Sequence, residues 1–279
     1  MNRTQFPLTS RPLYWLTLLC SVQLAGCALH RNSTDSAPAQ QINLATIPDA
    51  VPQHEPRSER GNPAFYQVNG HTYHLLANAN NYAERGVASW YGTKFHGRAT
   101  SSGETYDMYK MTAAHRTLPI PCYLQVTNLQ NGQQVVVRVN DRGPFHANRI
   151  IDLSYAAAKK LGITGNGTGL VAIRSITPAA GRQRNAKPVT IAATATRDEK
   201  KENVQIFVQA GAFSSRENAE QLQQQLTALV EPQHITAKFD QGDKLYRVRI
   251  GPLATVEEAD RLTQLITTKG FTAPHLVVD

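Results

Sequence analysis

The chain is 279 residues long and 41% apolar, with 29 Lys and Arg against 21 Asp and Glu for a formal net charge of +8. That length suits two small cores, and charged residues at only 18% exclude a disordered polyelectrolyte. Outside residues 13–29 no apolar run approaches the roughly 20 residues that span a bilayer, which excludes a polytopic helical membrane protein.

The N-terminus has the layout of an export leader. Arg3 and Arg11 precede an apolar stretch from Leu13 to Val22, and Leu24-Ala25-Gly26-Cys27 follows. The tetrapeptide resembles the bacterial lipobox, in which a signal peptidase cuts before a diacylglycerylated cysteine; the alternative is an ordinary small-residue cleavage site. We expect a lipoprotein signal peptide over 1–26 and lipidation at Cys27, with Ala28 resembling the pattern of lipoproteins sorted to the outer membrane. Cys20 then leaves with the leader and Cys122 has no disulfide partner. Its surroundings, Leu118-Pro-Ile-Pro-Cys-Tyr-Leu, suit a buried small hydrophobe rather than a nucleophile.

Residues 27–64 contain Pro38, Pro48, Pro52, Pro56 and Pro63 among polar and small residues, the composition of a disordered tether. Residues 65–82 alternate around Asn69-Gly70, a strong hairpin signal, and form a hairpin extension. Over 83–176 the strand-like runs are Gly86–Tyr91, Tyr123–Asn128, Gln134–Asn140 and Gly169–Arg174, with Asn131-Gly132 joining the middle two. Ser154 caps a helix from Tyr155 to Leu161 that Gly162 stops. Six or so short strands and one short helix point to a small closed all-β barrel. This region carries a surplus of six positive charges, which suits either an anionic partner or a solvated basic face. No zinc-finger spacing, P-loop or RNP-like motif accompanies it, so nucleic acid is not an expected partner.

Several blocks in this region carry a resemblance. Gly86-Val-Ala-Ser-Trp-Tyr-Gly, Phe95-His-Gly-Arg-Ala-Thr, Gly103-Glu-Thr-Tyr-Asp, Thr112-Ala-Ala-His-Arg-Thr-Leu-Pro, Val126-Thr-Asn-Leu-Gln-Asn-Gly, Val139-Asn-Asp-Arg-Gly-Pro-Phe and Arg149-Ile-Ile-Asp-Leu-Ser resemble the rare lipoprotein A family, in the family's order. The resemblance implies a double-psi β-barrel, similar to those of expansins and murein transglycosylase A, and lytic transglycosylase activity on the MurNAc-GlcNAc glycan of peptidoglycan. One departure is Ser101-Ser102, where the family more often shows Ala-Asn.

Cleaving a glycosidic bond requires a proton donor for the leaving oxygen and stabilisation of an oxocarbenium-like centre, tasks suited to Asp or Glu. A lytic transglycosylase needs one indispensable acid/base, because the muramic acid C6 hydroxyl attacks its own C1. The carboxylates available are Glu84, Glu104, Asp107, Asp141 and Asp152. Asp141 ends a valine-rich strand and precedes Arg142-Gly143-Pro144, so it is either a general acid at the rim of a cleft or an Asx-turn residue. Arg142 need not act on it, since neighbouring strand residues point to opposite faces. The resemblance matches Glu104 to the family's second functional carboxylate and His115 to a histidine near these carboxylates; their plainer readings are a solvated loop glutamate and a structural histidine. Trp90 and Tyr91 suit sugar stacking or core packing.

A second linker is expected over 177–203, followed by a module at 204–279 with an internal repeat at an offset of 40 residues. Val208-Gln-Ala-Gly-Ala-Phe aligns with Val248-Arg-Ile-Gly-Pro-Leu, each a strand before a helix, with Ser214…Glu217 and Thr255…Glu258 as capping boxes. Ala219, Leu222, Leu226 and Leu229, and Ala259, Leu262, Leu265 and Ile266, form the apolar stripes. Strands near 234–239 and 273–278 complete a βαββαβ, ferredoxin-like α+β pattern. It resembles the SPOR domain, which implies binding to septal peptidoglycan stripped of stem peptides. Alternation directs Ile206, Val208 and Ala210 inward and leaves Phe207, Gln209, Arg247 and Arg249 on an open face suited to a glycan, or simply to solvent.

The sequence therefore describes a lipid-anchored, septal, glycan-cleaving envelope protein, monomeric and without cofactor or metal. The alternative is a non-catalytic, expansin-like wall-binding protein.

Overall fold

The computed structural model describes residues 35–39, 43, 46–178, 204–271 and 274–279. The expected leader with Cys27 and most of the expected second linker lie outside the described residues.

An Asn-Gly turn with both φ angles positive joins β1 (Phe65–Val68) to β2 (His71–His74) as an antiparallel hairpin. Its Tyr66 and Tyr73 rings stack at 5.2 Å and lie against Phe145. The barrel strands are β3 (Ala83–Tyr91), β4 (Thr112–Ala114), β5 (Cys122–Asn128), β6 (Gln134–Asp141), β7 (Arg149–Ser154) and β8 (Thr168–Ile176). They close in the order β3-β7-β4-β6-β5-β8. The pairs β3–β7 and β4–β6 are parallel and the others antiparallel, in keeping with the double-psi barrel. Alternation fills the interior: Leu124, Val126, Val137, Val139, Ile151, Leu153, Val171 and Ile173 are inaccessible to solvent. Helix α1 (Tyr155–Lys160) follows β7, and Ser154 Oγ caps it by accepting from Ala157 N at 3.2 Å.

Residues 46–63, expected from their prolines to be a disordered tether, lie along the barrel. The prolines prevent a regular strand ladder, and isolated bonds take its place. Ala50 N donates to Val136 O (3.1 Å), Val136 N to Asp49 Oδ2 (2.9 Å) and Ser58 N to Ile120 O (3.0 Å). Ile47 and Ala50 pack on the barrel core, and Lys160 holds Asp49 at 2.8 Å.

The C-terminal module contains β9 (Ile206–Phe213), α2 (Arg216–Leu226), a single 3₁₀ turn at Pro232–His234, β10 (Ile235–Asp240), β11 (Leu245–Leu253), α3 (Val256–Thr268) and β12 (His275–Val278). The fully antiparallel sheet β10-β11-β9-β12 has the ferredoxin-like order, with Val208, Val248, Ile250, Ala219, Leu226, Ala259 and Ile266 in its core. Thr255 caps α3 as expected, accepting from Glu258 N at 3.1 Å. The cap of α2 is Ser215 rather than Ser214: Ser215 Oγ accepts from Asn218 N at 3.3 Å. Leu265 is exposed, and Thr263, two residues before it and on the opposite side of the helix, is buried instead.

The modules touch. Asn148, in a left-handed conformation (φ 65), donates to Asp260 Oδ1 (2.9 Å) and Thr263 Oγ1 (3.1 Å) on α3 and accepts from Leu276 N on β12 (2.9 Å). Val87 and Leu170 of the barrel join the C-terminal core.

Candidate active site

Strand β6 delivers two consecutive polar side chains to the barrel rim. Asp141 Oδ1 accepts from Ser101 N (2.8 Å), Ser101 Oγ (2.7 Å) and Arg142 N (2.8 Å). Its Oδ2 receives no hydrogen bond among the described residues. Ser101 is thus a working partner of Asp141, and its hydroxyl supplies a donor that alanine would lack. The preceding residue, Asn140, donates from Nδ2 to Glu104 Oε2 at 2.8 Å. Ser102 N donates to Asn140 O at 3.3 Å, so the loop carrying Glu104 is fastened to the strand end carrying Asp141.

Glu104 is not a free loop carboxylate. Arg138 Nη1 donates to both of its oxygens, at 2.9 and 2.8 Å, while Nε and Nη2 of the same guanidinium donate to Glu55 Oε1 and Oε2, each at 2.8 Å. The Arg138 hydrogen bonds, outweighing burial, hold the Glu55 carboxyl below the ordinary range. One guanidinium between two carboxylates leaves a cluster of net charge −1 beside a cleft of about 750 Å³, whose wall includes Glu104, Asn140 and Arg138.

His115 meets neither Asp141 nor Glu104 through its ring. Its backbone N donates to Asp141 O at 3.0 Å, but Nδ1 accepts from Thr117 N and Leu118 N at 3.2 and 3.1 Å. The neutral ring therefore carries its proton on Nε2, 3.2 Å from the Tyr82 hydroxyl, which in turn donates to Glu84. Burial pushes His115 below the ordinary histidine range, with Glu84 opposing in part. Burial alone would raise Glu84, and His115, whose Nε2 lies 3.9 Å away, together with the hydrogen bond from Tyr82 brings it below the ordinary range instead. The side chain expected beside the site carboxylates ties the Thr117-Leu118 turn to Tyr82, and only the backbone N–H of His115 reaches Asp141.

On the other flank, Asp152 of β7 pairs across the ladder with Ala114 and accepts from Ser89 Oγ. Burial raises its carboxyl above the ordinary aspartate range. It lines a second cleft, about 340 Å³, with Trp90, Tyr91, Phe95 and Phe145. Asn140 lines the first cleft and Pro144 the second, so Asp141 lies in sequence between residues of both. Tyr91 is buried and stacks on Tyr106 at 4.1 Å, whereas Trp90 packs edge-on against Tyr155. Burial pushes the Cys122 thiol up to about 12, leaving essentially no thiolate at neutral pH.

In the C-terminal module Gln209 shares the helix-free face with Arg249 and His275, its cross-strand neighbours, but it is only 4% exposed. Arg247 Nη1 covers its Oε1 at 3.1 Å, and Arg247 also binds Asp240 and Asp243, while Arg249 binds Asp279. Phe207 is half-buried on β9. Gln209 therefore holds Arg247 in place rather than presenting a free amide.

Sequence reasoning singled out Asp141 and Glu104 but missed Ser101, Arg138, Asn140 and Glu55, which hold them. The available signal was Arg138, a cation within Val135-Val-Val-Arg-Val whose burial demands a carboxylate.

The family model for lytic transglycolase matches residues 83–173, and that for the SPOR domain matches 203–277. The chain is 38% identical to the endolytic peptidoglycan transglycosylase RlpA of Pseudomonas aeruginosa (strain UCBPP-PA14), covering 88% of this chain and 85% of that protein. It is similar to the Neisseria meningitidis protein of the same name (serogroup A), at 38% identity over 90% of this chain and 92% of that one. The Vibrio cholerae protein of that name is 53% identical over 58% of this chain and 63% of its own. A solved Clavibacter michiganensis expansin is 16% identical over 47% of this chain and 57% of that one, with a TM-score of 0.28. With the Pseudomonas and Neisseria relatives matched along 85% and 92% of their length and a family model on each of its two modules, the chain belongs to the RlpA family.

Proposed function

We propose that this protein is an endolytic peptidoglycan transglycosylase that uses Asp141 as its acid and base. The observation that carries the assignment is the asymmetric holding of Asp141: three donors fix Oδ1, and Oδ2 is left for substrate. In the reaction, Asp141 protonates the glycosidic oxygen as the C1–O bond breaks. The muramic acid C6 hydroxyl then forms the new O6–C1 bond and returns its proton to Asp141, closing a 1,6-anhydro end with no water consumed. The negative cluster around Glu104 favours the oxocarbenium-like centre, and His115 positions the backbone of Asp141.

The finer parts of the proposal rest on sequence. The lipobox supports a lipid on Cys27 and attachment to the outer membrane facing the periplasm. The SPOR match supports enrichment at the division septum on peptide-denuded strands, with Arg247, Arg249 and Phe207 meeting the glycan and Gln209 ordering Arg247. The protein acts as a monomer whose partner is the wall. The deciding experiment is mass analysis of products released from peptide-stripped wall by the protein and by Asp141→Asn. Anhydro ends from the first and a loss of about 100- to 10,000-fold in the second are expected. Equal release, or hydrated reducing ends, would overturn the assignment; release by neither protein favours a wall-binding role.

A further inference from the structure

Between its expected lipid anchor and the barrel the chain was expected only to span distance, yet residues 46–63 contact both candidate carboxylate systems. Glu55 shares Arg138 with Glu104 and also accepts from the Tyr123 hydroxyl. Six and seven residues on, Gly61 O and Asn62 Oδ1 accept from Arg142 Nε (2.8 Å) and Nη2 (3.1 Å), next to Asp141. Gly61 has φ +76, and a Cβ there would lie 2.7 Å from Ser101 O, so the segment packs directly behind the residue that holds Asp141. Ahead of Glu55, Ile47, Pro48 and Val51 line the cleft of about 750 Å³ together with Glu104 and Asn140. Val51 keeps 42% of its surface exposed although its neighbours Asp49 and Ala50 are bonded to the barrel.

We propose that residues 46–63 are a strap that completes the glycan site: Ile47, Pro48 and Val51 form an apolar wall for sugar rings, and Glu55 is a positioning residue for Arg138 and Glu104. This deepens the function proposed above and rests on it. The charge arithmetic explains why a second carboxylate is useful. An Arg138–Glu104 pair alone is neutral and offers little to a developing cation, whereas Glu55 makes the cluster net negative. The apolar wall meets substrate equally in the ground and transition states, so it acts on KM; the surplus charge acts on kcat. A cleft of this size falls within the range of sites that enclose a small ligand, here the sugar units of a glycan strand.

The test compares the leaderless chain with Glu55→Gln and Val51→Asp on peptide-stripped glycan, with folding followed by thermal melts. Glu55→Gln should lower kcat by about tenfold with little change in KM, as expected for a charge felt mainly in the transition state. Val51→Asp should raise KM several-fold with kcat retained, and Glu55→Asp should recover part of the kcat lost in Glu55→Gln. Hydrogen exchange on the unmutated chain gives a readout independent of any variant's folding: the Ala50 and Ser58 amides should gain protection when glycan is added. Well-folded variants with unchanged kcat and KM, or no added protection with glycan present in excess, would overturn the strap. If glycan protects these amides but the unmutated chain releases no product, the strap stands as a binding element and the catalytic proposal fails separately.

Discussion

Arg142→Met tests the architecture behind Asp141. The guanidinium donates to Gly61 O (2.8 Å), His115 O (3.1 Å), Leu118 O (2.5 Å) and Asn62 Oδ1 (3.1 Å). Asn62 Oδ1 also accepts from Ile120 N, so it keeps a partner, but the three carbonyls have no second donor among the described residues. Methionine preserves the apolar stem and removes every donor. A hydrogen bond from a charged group contributes about 1.5–3 kcal/mol net, and the half-buried setting favours the low end. Three such losses give about 4 kcal/mol, before relaxation that makes neighbouring losses less than additive. Trp15 lies in the expected leader and Trp90 is the other tryptophan, so fluorescence of the leaderless chain reports the barrel alone. With a urea slope of about 1–2 kcal/mol/M for a domain of this size, the midpoint should fall by about 2–4 M. Arg142→Lys, which can reach one or two of the carbonyls, should recover a minority of the loss. A fall below about 1 kcal/mol for the methionine variant would show that water replaces the guanidinium freely and would refute the reasoning.

Burial raises the Asp152 carboxyl, so the folded state holds that proton more tightly than the unfolded state, and this contribution to stability declines as pH rises from the ordinary aspartate value through the raised one. Asp152→Asn should remove that decline and melt no lower than the parent at pH 7; a clear loss at pH 7 would contradict the assignment. His115 shifts the other way: the unfolded state binds the extra proton, so stability should fall as pH drops from 6.5 toward the lowered value. Melts of the parent and His115→Gln between pH 7.5 and 5 should show a slope in the parent that the variant lacks. Asn148→Ala removes three bonds between the modules and should speed tryptic cleavage within residues 177–203 while leaving the Trp90 melt within a few degrees; unchanged cleavage would place the inter-module hold elsewhere.

The strands with period-two alternation and a turn signal, β5, β6 and β8, were legible because local pattern and tertiary place agree. Strands β4 and β7 were not. β4 is three residues long, and β7 runs Ile150-Ile151-Asp152-Leu153-Ser154 with buried neighbours on both sides, so no alternation marks it. These two strands make the parallel pairings, which depend on contacts far apart in sequence. The one-residue slip at the α2 cap has a similar local origin: Ser214 and Ser215 both precede the helix, and the register of Ala219 and Leu222 against the sheet selects Ser215.

In the site, sequence identified which groups carry charge but not which groups hold them. Asp141 announced itself at a strand end, while the meaning of Ser101 depended on a loop folding back across 40 positions. Glu55 was read as part of a tether because composition reports only whether a segment can bury a core of its own, and residues 46–63 use the barrel's core instead. Gln209 failed by the converse error. Alternation placed it on the right face, but Arg247 and His275 occupy that face and cover it. Periodicity predicts direction, and accessibility then depends on the neighbours that a β-sheet brings from other strands. The same logic makes the Arg138 cluster a single unit: Glu104 was assigned from its own loop, yet its charge, orientation and place in the cleft depend on β6 and on the strap together. A substitution at Glu104 therefore changes Arg138 and Glu55 as well. The role of Glu104 is isolated only by comparing Glu104→Gln, Glu55→Gln and the double variant, where a double effect smaller than the sum of the two would mark them as parts of one electrostatic device.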